Sequence, residues 1–191
     1  LTLDSDPTYQ QTGKPMIATT LAIRLVLDRA ATTAEAVELL SKYDMFASSG
    51  RDYHFYITDA SGDGRVLEYD CNDPARPLTA TPSRSVTNFF VMYKDNVLPN
   101  QRNGVYGHGR ERYDAIEEIL DANAGSIDRE IAWQALQAAS QAPNPKDVTS
   151  NTQWSILYDN TALTAEAVIR RDWNTKTSYN LVSNVAVTDV G

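Results

Sequence analysis

Apolar residues first recur along the chain at helical spacing, and then the period drops to two. Leu21, Leu25 and Leu27, interleaved with Arg24 and Asp28, predict a helix that runs to about Ala30. Thr32-Thr33-Ala34-Glu35 follows as a capping-box pattern, in which the Thr32 hydroxyl and the Glu35 carboxylate satisfy the first orphan N–H groups of a second helix. Ala36, Val37, Leu39, Leu40 and Tyr43 continue that helix. From Tyr53 onward, His54, Tyr56 and Thr58 alternate with Phe55 and Ile57. Gly62-Asp63-Gly64 then turns the chain and Val66 to Tyr69 returns. That alternation around a glycine-rich reversal predicts a β-hairpin.

The remainder reads the same way. Leu1 to Pro15 is polar and turn-rich, and reads as a loop or an incoming connection. Residues 84–92 read as a further β-like segment. Tyr113, Ile116, Ile119 and Leu120 support a helix from Arg110 to about Ala122, and a second helix runs from Ile127 to about Ser140. A proline-rich loop, Ala142 to Pro145, ends it. Trp154 to Tyr158, a turn at Asp159-Asn160, and a return over Ala165 to Arg171 predict a second hairpin, with Tyr179 to Val182 as a last strand. Helices, strands, helices, strands in that order, with hairpins as the strand units, make an α+β chain with antiparallel sheets.

Composition narrows the function classes. A chain of 191 residues supports a single domain with a real core. Its net charge of -8 argues against a nucleic-acid binder, which usually carries a basic face. No apolar run is long enough to cross a bilayer as a helix. One cysteine, Cys71, excludes an internal disulfide framework and a cysteine-rich zinc site, and leaves the compartment open.

The candidate chemistry concentrates between Ser85 and Tyr113. An apolar, β-prone run delivers the amide of Asn88, and the glycine-rich turn Gly107-His108-Gly109 delivers Arg110 and Arg112 at a helix start. Amide donors and fixed cations hold an oxyanion and keep a nucleophile ionised. Cations at a helix N-terminus oppose the macrodipole, so they need some other partner. Other signals have plainer readings. Asp59-Ala60-Ser61-Gly62-Asp63-Gly64 resembles the opening of a calcium loop, but its flanks alternate like strands and a hairpin turn explains it. Cys71, paired with His54 or His108, could make a nucleophile and base, but nothing near it in sequence lowers its pKa. The two histidines read as structural hydrogen-bonders, and Trp133, Trp154 and Trp173 as core packing.

These segments, taken in order, resemble a known family. Residues 20–28, 33–40, 53–62 and 66–69, then Thr87-Asn88-Phe89, Gly109-Arg110-Glu111-Arg112-Tyr113 and Trp154-Ser155-Ile156-Leu157-Tyr158, look like the linear amide C–N hydrolases. That group includes choloylglycine (bile salt) hydrolases and penicillin V acylases. The resemblance implies an N-terminal-nucleophile fold, an αββα sandwich of two stacked antiparallel sheets between helix layers. It implies a small-molecule acyl amide as substrate; together with the charge, the lack of a long apolar run and the scarcity of His and Cys, the expectation is no cofactor, no metal, and neither nucleic acid nor membrane as partner. It assigns Asn88 to the oxyanion hole and Arg112 to support of the thiolate and the charged site. The family's nucleophile is a cysteine at the mature N-terminus, which Leu1 and Thr2 do not replace. The expectation is therefore residues 1–191 as the C-terminal portion of such a hydrolase, with a non-catalytic remnant or binding module as the alternative. Uncovered sheet faces would then favour a homo-oligomer, or association with the absent first half.

Overall fold

In a computed structural model of the chain, which describes residues 2–3, 6–48, 50–102, 104–147, 150–183 and 185–187, the capping box forms as the sequence prescribes. The Glu35 N–H donates to the Thr32 hydroxyl at 3.2 Å, and the Glu35 carboxylate accepts from the Thr32 N–H at 3.3 Å. The elements in order are β1 (Thr2–Leu3), β2 (Met16–Ala18), α1 (Thr19–Arg29), α2 (Thr33–Leu40), β3 (Asp44–Phe46), β4 (Asp52–Tyr53), β5 (Phe55–Thr58), β6 (Gly64–Tyr69) and β7 (Leu78–Pro82). A 3₁₀ helix (Val91–Asn96) follows, then α3 (Arg110–Ala122), α4 (Arg129–Ala138), β8 (Trp154–Asp159), β9 (Thr164–Ile169), β10 (Thr177–Asn180) and β11 (Val185–Val187). The chain gathers into two compact units, Leu1–Tyr113 and Asp114–Gly191.

In the first unit the predicted hairpin is β5–β6, and β7 completes an antiparallel sheet of order β5-β6-β7. Successive side chains of β6 point to opposite faces. Leu67 and Tyr69 join Ile17, Ala22, Leu40 and Met45 in a buried cluster, so α1 and α2 cover that face. Val66 and Glu68 belong to the other face and are fully buried as well. Burial on both faces makes β6 the central strand of the unit.

Three expectations change here. Residues 84–92 form no strand: Phe89 makes a single bridge to Gly107, and a 3₁₀ helix starts at Val91. The backbone groups of this segment bond to a loop and to a carboxylate instead of a strand ladder, which removes the reason to stay extended. The strand beside β6 is β7, whose proline sits at the strand end, where a missing N–H is tolerated. The sheets are also not all antiparallel. β2 and β3 pair in parallel, with Met16 opposite Asp44, and α1 and α2 supply the long crossover such a pair requires. Finally, the opening loop contains β1, which pairs with β4 and buries Leu3.

The Asp59–Gly64 reversal is a turn whose carboxylates serve α2. Asp59 accepts from the Ser61 hydroxyl at 2.5 Å and from the Thr33 N–H at 2.9 Å, and Asp63 accepts from the Thr33 hydroxyl and from Arg65. The Ser61 hydroxyl, then the Thr33 N–H, hold the Asp59 carboxyl down at about 2. A carboxylate depressed in the folded state stabilises above its unfolded pKa of about 3.9, and that stabilisation is lost as pH falls through the folded value. The Tm advantage of wild type over Asp59→Asn is therefore expected to be constant above about pH 5 and to shrink toward pH 2. An advantage that grew on acidification would contradict the assignment.

The second unit is simpler. Asp128 caps α4 by accepting from the Ile131 N–H at 3.0 Å, one residue beyond the predicted start. β8 and β9 form the predicted hairpin, with Trp154 opposite Ile169, and the sheet continues to β10 and β11. Trp133 is fully buried, and its indole N–H donates to Glu166 at 3.1 Å. Arg129 meets the same carboxylate at 3.2 Å, so one acidic group on β9 receives both a ring and a cation from α4. Trp173 packs edge-on against Trp133, but Trp154, also read as core packing, is 64% exposed on β8. Among the described residues, no helix is long and apolar enough to cross a membrane.

Candidate functional site

A single antiparallel bridge, Phe89 to Gly107, builds the site. The Phe90 N–H donates to the Tyr106 carbonyl and the His108 N–H to the Asn88 carbonyl, each at 2.9 Å, while the Thr87 hydroxyl donates to the Gly109 carbonyl at 2.9 Å. Residues 87–90 are thereby tied, antiparallel, to residues 106–109. Two glycines make this approach possible. Gly107 has φ +104°, and a Cβ there would lie 2.1 Å from the Asn88 carbonyl oxygen. Gly109 has φ +90°, and a Cβ there would lie 2.3 Å from the Arg112 guanidinium. Left-handed backbone at both positions suits glycine; at Gly107 the contact is with backbone and excludes a side chain, whereas at Gly109 the Arg112 guanidinium would have to move.

The chain then enters α3, where the Tyr113 N–H donates to the Gly109 carbonyl at 3.1 Å. The Tyr113 ring packs edge-on against Phe89, with centroids 5.3 Å apart, and both rings are buried. This contact fixes the rotation of α3's first turn and aims Arg112. Its Nη2 donates to Asn88 Oδ1 at 2.8 Å. A half-buried cation at a helix N-terminus thus finds the partner that the macrodipole denies it. Burial lowers the Arg112 pKa, Glu111 opposes that shift, and Arg102 adds to it.

Arg110 has a different role. It donates to the Lys94 carbonyl at 2.5 Å and lies 6.0 Å from the centre of the Tyr113 ring, so it ties the 3₁₀ helix to α3. The pair read together in the sequence divides into one cation on the Asn88 amide and one on the backbone. Asn88 is not carried on a regular strand, yet the structure brings it to Arg112 across 24 residues.

The other candidates stand apart from a nucleophilic site. Cys71 follows β6 and is half-buried, and burial pushes its thiol up, with Arg76 opposing. A thiol so placed is less ionised, and a poorer nucleophile, than an ordinary cysteine. His54 Nδ1 lies 3.0 Å from Glu68 Oε1, both side chains fully buried, so its ring is engaged as a structural hydrogen-bonder. Among the described residues, no group of three or more His, Cys, Asp and Glu side chains is arranged to hold a metal ion.

Glu68 is the site neighbour that sequence reasoning missed. Its two carboxylate oxygens accept from the Val91 N–H at 2.7 Å and the Met92 N–H at 3.0 Å. The available signal was an acidic residue inside the apolar run Val66-Leu67-Glu68-Tyr69, a position that buries a charge unless it is paired.

No known family profile matches the chain, and no curated protein matches it in sequence. Solved structures do match in fold. A mutant of the conjugated bile acid hydrolase from Clostridium perfringens superposes with a TM-score of 0.68 at 14% identity, over 98% of this chain and 72% of that one. A second variant of the same hydrolase gives 0.64 at 14% identity, over 100% and 76%. The fold, mixed helices with mainly antiparallel sheets, is similar to that of the conjugated bile acid hydrolase.

Proposed function

We propose that Asn88 and Arg112 form one wall of the active site of a linear amide hydrolase with an N-terminal-nucleophile sandwich fold. The observation that carries this reading is the 2.8 Å bond from Arg112 to Asn88 Oδ1, set in a fold similar to the conjugated bile acid hydrolase. By donating to Oδ1, Arg112 turns the amide's N–H end away from itself, the orientation an oxyanion donor needs. Arg112 brings fixed positive charge beside that donor, suited to an anionic nucleophile or a substrate carboxylate. The substrate is a linear acyl amide, of the bile-salt conjugate or penicillin V type. Attack by a cysteine thiolate would form a thioester acyl-enzyme and expel the amine, which takes up a proton, and water would then release the acid.

That cysteine is not among residues 1–191, since the chain's single thiol is Cys71, and burial pushes it up. On this reading the cysteine nucleophile has to be supplied from outside residues 1–191. The 191-residue chain alone is expected to leave glycocholate and penicillin V intact, with Cys71→Ser changing nothing; hydrolysis that depended on Cys71 would overturn the reading. With a segment beginning in cysteine supplied, Asn88→Ala is expected to lower kcat by about 10²-fold or more, the usual loss for one oxyanion donor. If the coding sequence upstream of Leu1 held no such segment, the alternative, a binding module that keeps the fold, would replace it.

A further inference from the structure

We propose that Glu68, braced by His54, is the residue that positions Asn88. This rests on the reading of Asn88 as part of the hydrolase site. Asn88 lies on an irregular segment that no sheet holds. Its pairing with residues 106–109 restrains one side.

The opposite side is held from β6. Phe90, the residue before the 3₁₀ helix, offers no side-chain cap, so the first N–H groups of that helix need an outside acceptor. Glu68 supplies both of its oxygens, one to Val91 and one to Met92. His54 braces that carboxylate, its Nδ1 lying 3.0 Å from Glu68 Oε1. Glu68 therefore holds the chain at 91–92, the turn that follows Asn88-Phe89-Phe90, while the 106–109 loop holds it at residues 88 and 90.

Charge and burial argue for a purpose beyond packing. Neither the Glu68 nor the His54 side chain is exposed at all. An apolar residue at position 68 would fill β6 without the desolvation cost of a carboxylate. What it could not do is accept two backbone N–H groups at once. Burial also pushes the His54 pKa down, which keeps the ring neutral at neutral pH and able to donate Nδ1–H to the carboxylate.

The test uses the 191-residue protein labelled uniformly with ¹⁵N, and it needs no substrate. Failure here is thus separate from failure of the hydrolase reading. In E68Q the side chain keeps one acceptor oxygen, so one of the two backbone N–H groups loses its partner. Amide exchange at Val91 or Met92 is expected to quicken about tenfold or more, the Asn88 side-chain signals to shift or broaden, and the Arg112 Nε–H signal to move with them. L67A, which removes packing on the helix-covered face of the same strand, is expected to lower Tm while leaving the Asn88 and Arg112 signals in place. H54Q removes the ring that braces Glu68 and is expected to quicken exchange at Val91 or Met92 and to move the Asn88 signals with it, so it carries the test if E68Q does not fold. Asn88 and Arg112 signals at wild-type positions in folded E68Q or H54Q would overturn the proposal. So would an L67A protein that moved them as far.

Discussion

Replacing Gly107 by alanine is expected to destabilise the first unit by about 3 kcal/mol or more and to separate Asn88 from the 106–109 loop. Two costs combine. A φ of +104° strains any residue with a Cβ, and here the Cβ would also meet the Asn88 carbonyl oxygen at 2.1 Å and the Phe89 Cα at 2.6 Å. Backbone atoms cannot rotate aside as a side chain can, so the pairing must open. Gly13 provides the control: its φ is +92°, and nothing lies within 4 Å of its Cβ position. Gly13→Ala is expected to show the backbone strain alone, about 1–2 kcal/mol. Urea midpoints at unchanged m-value would measure both. Equal losses at the two positions would refute the steric account of the loop.

Phe89→Ala is the second large effect, at about 3–5 kcal/mol. Phe89 is fully buried, stands edge-on to Tyr113, and packs in one cluster with Val97 and Tyr106. Truncation leaves a cavity at the foot of α3 and removes the ring that sets the helix's first turn. Because Tyr113 follows Arg112 directly, and Asn88 directly precedes Phe89, both partners of the 2.8 Å bond lose their support together. Phe89→Leu keeps most of the volume and is expected to cost about 1.5 kcal/mol or less. Thermal unfolding of the two variants gives the comparison. A loss below about 1 kcal/mol for the alanine variant would mean that the cluster does not hold the site.

Much of the architecture was readable from local pattern. The capping box at Thr32, the hairpin around Gly62, the helix from Arg110 and the hairpin turning at Asp159 each rest on residues a few positions apart. The misreadings are equally particular. Residues 84–92 carry strand-like apolar residues, but their backbone groups are taken by Glu68 and by the 106–109 loop, and propensity has no record of such partners. β7 was overlooked because prolines at 77 and 82 bracket it and read as turn signals. The parallel β2–β3 pair escaped because each strand has only three residues, too few to show a period.

The sequence by itself determined the helical and hairpin units, the residue types offered to the site, and the glycine turn that lets Arg112 approach. Those follow from short-range sterics, capping and periodicity. Tertiary structure alone decided that Arg112 meets Asn88 while Arg110 meets a backbone carbonyl, and that Glu68 is spent on Val91 and Met92. The physical reason is that a buried polar group must find a partner from whatever surrounds it once water is gone. Which group lies within reach is set by packing between segments some twenty residues apart.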